Sequence, residues 1–208
     1  MSYVIVTHLH ADHYDYFGAC PTDKPCPTDK PLGRRALGRR AFPNARLVVN
    51  RREYEEMAGQ DQTRLRRAGG KDHLAPDVRK TLNGRPDALQ LVDDEEIVPG
   101  VRVFPLGCHT PGSQGVLVRT RMGPVVITGD AVYKYENIEK DRPIRSPDER
   151  ACRDAIDRIR SLADIVLPAH DPLTLERWPD GVIGAGTTSG RVGISHLPLI
   201  TESDANTP

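Results

Sequence analysis

The segment Thr7-His8-Leu9-His10-Ala11-Asp12-His13 decides how this chain is read. It follows Tyr3-Val4-Ile5-Val6, a short apolar run with the character of a buried strand. Three of the seven histidines and one carboxylate fall within six positions. Imidazole and carboxylate are the ligands that first-row metals such as zinc and iron prefer. His8 and His10 are two residues apart, so in an extended or turning segment both can point to one side. Asp12 and His13 follow at once and must leave in another direction. One metal held by His8 and His10, and a second held by Asp12 and His13, is a natural reading. The bland alternative is a polar loop that happens to be rich in histidine, and the rest of the chain has to decide between them.

The 208 residues are enough for one domain with a sizeable core. Lys plus Arg and Asp plus Glu both number 29, so the formal net charge is zero and nothing favours nucleic acid or an anionic membrane as a partner. No apolar run is long enough to span a bilayer, and the start lacks the basic-then-apolar pattern of a signal peptide. A cytoplasmic location is therefore expected. The four cysteines (Cys20, Cys26, Cys108, Cys152) form no CxxC pair, and reduced thiols are the expectation. With three Phe, one Trp and six Tyr, the packing has to be carried by Val, Leu and Ile.

After the histidine segment, Cys20-Pro21-Thr22-Asp23-Lys24-Pro25 recurs as residues 26–31, and Leu32-Gly33-Arg34-Arg35-Ala36 recurs as residues 37–41. Two adjacent duplications of different units do not make a solenoid, which needs longer units in at least three copies. Pro, Gly and charge make 20–41 a solvated loop, and its basic side chains favour a plain surface over a phosphate site. Strands are predicted at 46–49, 89–92, 101–104, 115–118, 125–128 and 164–167, each short and rich in branched residues. Residues 51–58 read as a short charged helix, and another is predicted over 75–82, with the polar stretch 59–72 between them. A longer helix opens at Ser146-Pro147-Asp148-Glu149, with Ser146 as N-cap and Glu149 closing a capping box. Ala151, Ala155, Ile159 and Leu162 then share one face. The expected organisation is one domain over 1–184 and a disordered tail over 185–208, poor in large apolar groups.

Three more predicted strands end in metal-type residues. Gly107-Cys108-His109-Thr110-Pro111-Gly112-Ser113 follows the 101–104 strand, Thr128-Gly129-Asp130 ends the 125–128 strand, and His170 follows the 164–167 strand. Short loops on a packed sheet hold ligands rigidly. Singly, a Gly-Asp is usually a turn and a lone His a surface residue; in order after the opening segment they reinforce one another. His73 and His196 share no such context and read as solvent-exposed, and Cys108 reads as a small buried residue.

His8-x-His10-x-Asp12-His13, then His109, Asp130 and His170, resembles the metal-ligand set of the metallo-β-lactamase superfamily. The resemblance is closer to the N-acyl homoserine lactonase branch, through Phe42-Pro43-Asn44-Ala45, Arg51-Arg52-Glu53-Tyr54-Glu55, His109-Thr110-Pro111-Gly112-Ser113-Gln114, Gly129-Asp130-Ala131-Val132-Tyr133 and Glu136-Asn137. It implies an α+β fold, a four-layer αββα sandwich, with two divalent metals at one sheet edge; zinc is the family's usual metal. By motif match His8, His10 and His109 hold the first metal, Asp12, His13 and His170 the second, and Asp130 bridges them. It implies hydrolysis of a lactone or small ester by metal-activated water, without a Ser or Cys nucleophile. Tyr133 resembles the family tyrosine that hydrogen-bonds the substrate carbonyl, and a packed core tyrosine is its equal alternative. Asp12 is the candidate for handing a proton to the leaving oxygen. Thr7 and Asp171 are candidate partners of ligand imidazoles.

The sequence departs from the family at its start, where several strands normally precede the histidine segment and only seven residues precede His8 here. The expectation is an N-terminally truncated member whose first sheet is incomplete, with exposed edges that a longer chain or a second copy in a homodimer would cover. Two further readings stand beside the lactonase: a thioester hydrolase of the glyoxalase II kind, and a truncated member without catalysis. A small-molecule substrate is expected throughout, with no nucleic-acid or membrane partner.

Overall fold

The computed structural model describes residues 2–10, 12–13, 44–58, 86–146 and 148–178. The predicted helix over 75–82, the polar stretch 59–72, most of the duplicated loop's surroundings and all of 20–41, the tail from 185, His73 and His196 lie outside the described residues. The fold class is α+β, and the chain divides into two compact units, Met1–Val92 and Asp93–Pro208.

In the first unit β1 (Tyr3–Ile5), β2 (Arg46–Asn50) and β3 (Leu89–Val92) form a parallel sheet in that order. Strands of parallel sheets are covered on both faces and read as continuous apolar runs. Leu47, Val48 and Val49 of β2 follow that rule and are fully buried. Val6, Leu9, Leu47, Val49 and Ala88 make the core, with Val4, Tyr54, Leu89 and Leu91 packed against it. Helix α1 (Arg51–Ala58) follows β2 directly. Its first turn is capped by Asn50, whose Oδ1 accepts the Arg52 N–H at 2.9 Å.

In the second unit β4 (Glu95–Val98), β5 (Val101–Pro105), β6 (Gln114–Thr120), β7 (Gly123–Ile127) and β8 (Ile165–Leu167) lie side by side in chain order. Pairings are antiparallel up to β7, and β7 pairs with β8 in parallel. That parallel step needs a crossover, which contains α2 (Tyr135–Glu139) and α3 (Glu149–Leu162); α4 (Leu173–Arg177) follows β8. Cys152, Ala155 and Ile159 of α3 pack with Phe104, Leu106, Val126, Ala131, Val132 and Ile144. Among the described residues no helix is long and apolar enough to cross a membrane.

Several expectations change. Strand β4 was not foreseen, because Glu95 and Glu96 open it; as an edge strand with its carboxylates exposed, it needs no apolar alternation. The N-cap of α3 is Asp148, not Ser146: Asp148 Oδ1 accepts the Ala151 N–H at 2.9 Å, a charge-assisted bond. The buried face of α3 runs through Cys152, Ala155, Ile156 and Ile159, with Ala151 only half-buried. Cys108 is buried as expected, but it is not a thiol, since Cys108 and Cys152 form a disulfide with Cα atoms 4.7 Å apart. The pairing removes the cysteine argument for a reducing compartment.

Gly115 lies opposite Phe104 in the β5–β6 pair, and a Cβ placed there would come within 2.6 Å of Phe104 Cζ. Gly115→Ala should therefore overpack the core and cost about 1–3 kcal/mol of stability. A chemical-denaturation midpoint checks this.

Candidate metal centre

The first unit delivers four candidate ligands from the exit of β1. Val6 N–H still pairs with Val48 O at 3.0 Å, after which the chain leaves the sheet. Leu9 is fully buried in the core and fixes the depth of the segment. Its N–H donates to Glu53 Oε1 at 2.8 Å. His8 is fully buried, with Thr7 Oγ1 3.3 Å from its Nδ1, the partnership expected for Thr7. The His8 ring lies 4.7 Å from that of His10 and 4.2 Å from that of His13. A turn closed by His13 N–H to His10 O at 3.1 Å swings His13 back, so it does not diverge from His8 as the spacing suggests. His13 Nε2 is 3.5 Å from Asp12 Oδ2, and Asp12 is exposed.

The second unit delivers three more from the exits of β5, β7 and β8. Strand registers explain why these meet. Ile127 is level with Leu167 in the parallel β7–β8 pair, and Asp130 and His170 each lie three residues further on. Pro105 pairs with Gln114, and Val116 with Ile127, so the β5–β6 loop opens at the same edge. Backbone bonds continue past the strands, from Ala169 N to Val132 O (3.1 Å) and His170 N to Tyr133 O (3.0 Å). Thr128 N donates to Leu167 O at 3.2 Å.

Asp130 is almost wholly buried, and its carboxylate lies between two imidazoles. Its Oδ2 is 3.3 Å from His109 Nε2 and its Oδ1 is 3.0 Å from His170 Nε2. Two ligand atoms on one tetrahedral ion, each about 2.0–2.2 Å from it, lie about 3.3–3.6 Å apart, which the His109 separation meets, whereas the 3.0 Å separation to His170 is that of a hydrogen bond. The Asp130 carboxylate thus has a different histidine beside each of its oxygens. Nitrogen and oxygen donors of this kind fit a borderline divalent cation, and groups of His and Asp suited to one occur among the described residues.

The β5–β6 loop that carries His109 is tightly built. Leu106 N and Gly107 N both donate to Ser113 O, at 2.8 and 3.2 Å, and Ser113 Oγ donates to Cys108 O. His109 has φ 73°, a left-handed conformation uncommon for a side chain larger than glycine. The disulfide fixes the preceding residue to α3. Tyr133 is half-buried, its Oη 3.1 Å from His109 Nδ1, with its ring edge-on to those of His109 and His170. It is therefore neither a wholly packed core residue nor remote from the histidines.

Asp171 does not take the place expected for it. Its carboxylate accepts the backbone N–H of Tyr135 (2.7 Å) and of Leu173 (3.0 Å), so it joins α2 to α4 instead of orienting an imidazole. Glu136 and Asn137 also act locally. The hydrogen bond and charge of Lys140, and then Arg142, hold the exposed Glu136 carboxyl below the usual carboxylate range, while Asn137 Oδ1 accepts the Lys134 N–H at the start of α2. Sequence reasoning missed Glu53 and the disulfide. Glu53 sits three residues after the cap Asn50, where a capping-box partner belongs, and that position gave no hint of its reach to Leu9.

The sequence pattern described as the metallo-beta-lactamase superfamily matches residues 36–170. An N-acyl homoserine lactonase of Bacillus sp is 30% identical over 175 residues, covering 81% of this chain and 55% of the relative. The N-acyl homoserine lactonase AttM of Azorhizobium caulinodans is 31% identical over 190 residues, covering 86% of this chain and 60% of its own. A crystal structure of a variant of B. thuringiensis AiiA with N-decanoyl-L-homoserine bound at the active site superposes with a TM-score of 0.58 at 24% identity. It covers 85% of this chain and 58% of that one, and the likeness shows the fold alone. The chain thus spans little more than half the length of the relatives it matches.

Cys108 and Cys152 are separated by 44 positions, and closing a loop of that size stabilises by about 2–4 kcal/mol. Cys152→Ser should lower stability by that amount, read by denaturation. Peptide mapping without reductant should recover the two cysteines in one cross-linked species.

Proposed function

Because the chain belongs to the metallo-beta-lactamase superfamily and has its fold, we propose that it is a dinuclear metal-dependent hydrolase that opens a lactone or small ester. The observation that carries the reading is the Asp130 carboxylate with His109 on one oxygen and His170 on the other. In this proposal His8, His10 and His109 hold one ion, Asp12, His13 and His170 hold the other, and Asp130 is shared. Zinc suits these donors. Relatives named N-acyl homoserine lactonases support an acyl lactone as substrate. Two bound ions would supply Lewis acidity and a water of lowered pKa, so that no Ser or Cys nucleophile is needed.

The chain's own residues set the proton positions. If an ion lay between His109 Nε2 and Asp130, Nε2 would be unprotonated, and Nδ1 would carry the proton and donate to Tyr133 Oη, 3.1 Å away. In this reading the phenol O–H would donate to a substrate carbonyl, where negative charge develops. Fixing His109 in one tautomer also fixes which nitrogen is offered to a cation. In this reading Asp12, exposed beside His13, would take the proton released as water adds to the carbonyl and return it to the departing alkoxide oxygen.

The test is elemental analysis of soluble, monodisperse protein, followed by side-by-side rates on an acyl homoserine lactone and a thioester. About two metals per chain and faster lactone opening are expected. His109→Ala should lose metal and activity together, and unchanged turnover in that variant would sink the proposal. A preference for the thioester would replace the lactonase with a hydrolase of the glyoxalase II kind. Tyr133→Phe should keep its metal while lactone kcat falls about 10²-fold, the usual scale for removing one such donor.

A further inference from the structure

We propose that Glu53 is the positioning residue of the histidine segment, holding His8 and His10 in one register for a shared ion through the Leu9 amide. The inference rests on the metal reading of that segment.

Glu53 is fully buried, an expensive place for a carboxylate unless its charge is met by strong hydrogen bonds. The bond it makes to Leu9 spans 44 positions, from the first turn of α1 to the loop beyond β1. The parallel sheet explains the encounter. Ile5 is level with Val48, so β1 and β2 leave the sheet at the same edge; Leu9 is four residues past the first and Glu53 five past the second. Asn50 caps the helix between them and fixes the direction in which Glu53 departs.

Leu9 stands between the two candidate ligands. Its side chain is locked in the core with Leu47 and Val49, and its amide is locked by Glu53. A residue held at both its side chain and its N–H has little freedom to rotate, and its neighbours on each side inherit that direction. His8 and His10 are the residues so directed, and their rings lie edge to face, 4.7 Å apart. A neutral or shorter side chain at 53 would weaken the hold. Gln accepts the same bond without the charge that strengthens it, and Asp falls one methylene short. Partners one step removed from a metal commonly govern affinity by about 10–100-fold, which sets the expected scale.

The experiment uses the full chain, stripped of metal and titrated with Co(II) against a chromophoric chelator, with the visible Co(II) bands recorded and folding followed by circular dichroism. Wild type should take up Co(II). Folded Glu53→Asp should bind about 10–100-fold more weakly with shifted bands, a change that a purely structural role would not give a folded protein. Glu53→Gln should bind about 10-fold more weakly. Because Gln matches Glu in size, it decides the matter if the Asp variant does not fold. Affinity within twofold of wild type and unchanged bands in folded Glu53→Gln would overturn this role while leaving the metal reading intact. A wild type that takes up no Co(II) would overturn both.

Discussion

The parallel pairing of β7 with β8 is the constraint on which the second unit's chemistry depends. Parallel strands leave a sheet at the same edge, and equal steps beyond a register pair stay level. Ile127 and Leu167 form such a pair, and Asp130 and His170 are each three steps on. The antiparallel β5–β6 loop opens at that edge too, so His109 reaches the other oxygen of the same carboxylate. The first unit repeats the logic with β1 and β2, whose common exit edge brings Glu53 to Leu9. In each unit, polar chemistry is placed by sheet register and not by long flexible loops.

Such an arrangement has to tolerate polar burial. Glu53 and Asp130 are buried carboxylates, and each is met by the groups around it, the Leu9 amide for one and the His109 and His170 rings for the other. An unsatisfied polar group in such a place would cost about 1–3 kcal/mol, comparable with a noticeable fraction of a domain's whole stability. The apolar counterweight comes from small and branched side chains. Among the described residues Phe104 is the largest fully buried side chain, and its ring lies so close over Gly115 that the glycine is dictated by packing.

Much of this was legible in the sequence because short apolar runs ending in His or Asp are a local signal. Strands β1, β2, β3, β5, β6, β7 and β8 could be found from branched residues bounded by Gly, Pro or Asp. What escaped was either masked by charge or non-local. The Glu95–Glu96 pair hid an edge strand. Ser146 and Asp148 were both plausible caps, and only the geometry of the first turn of α3 separates them. Asp171 beside His170 suggested a shared task, whereas its carboxylate is committed to two amides. The Cys108–Cys152 pairing and the Glu53–Leu9 bond each join positions 44 apart, and no window of sequence contains such information. The candidate ligands stood out because their type and order are unusual, and within each unit they come close together: the His8 ring lies beside those of His10 and His13, and the Asp130 carboxylate lies between His109 and His170.

The disulfide has one more consequence. Loops at the ends of strands are the usual raw material for changing what a protein recognises, because they can vary without disturbing the sheet. The Gly107–Ser113 loop is not such free material. Cys108 is bonded to the first turn of α3, on its sheet-packing face, and the neighbouring backbone is closed on itself through Ser113. A transplanted loop would have to bring its helical partner with it, so variation here is inherited as a pair of segments and the less constrained parts of the sheet edge are left to diverge first.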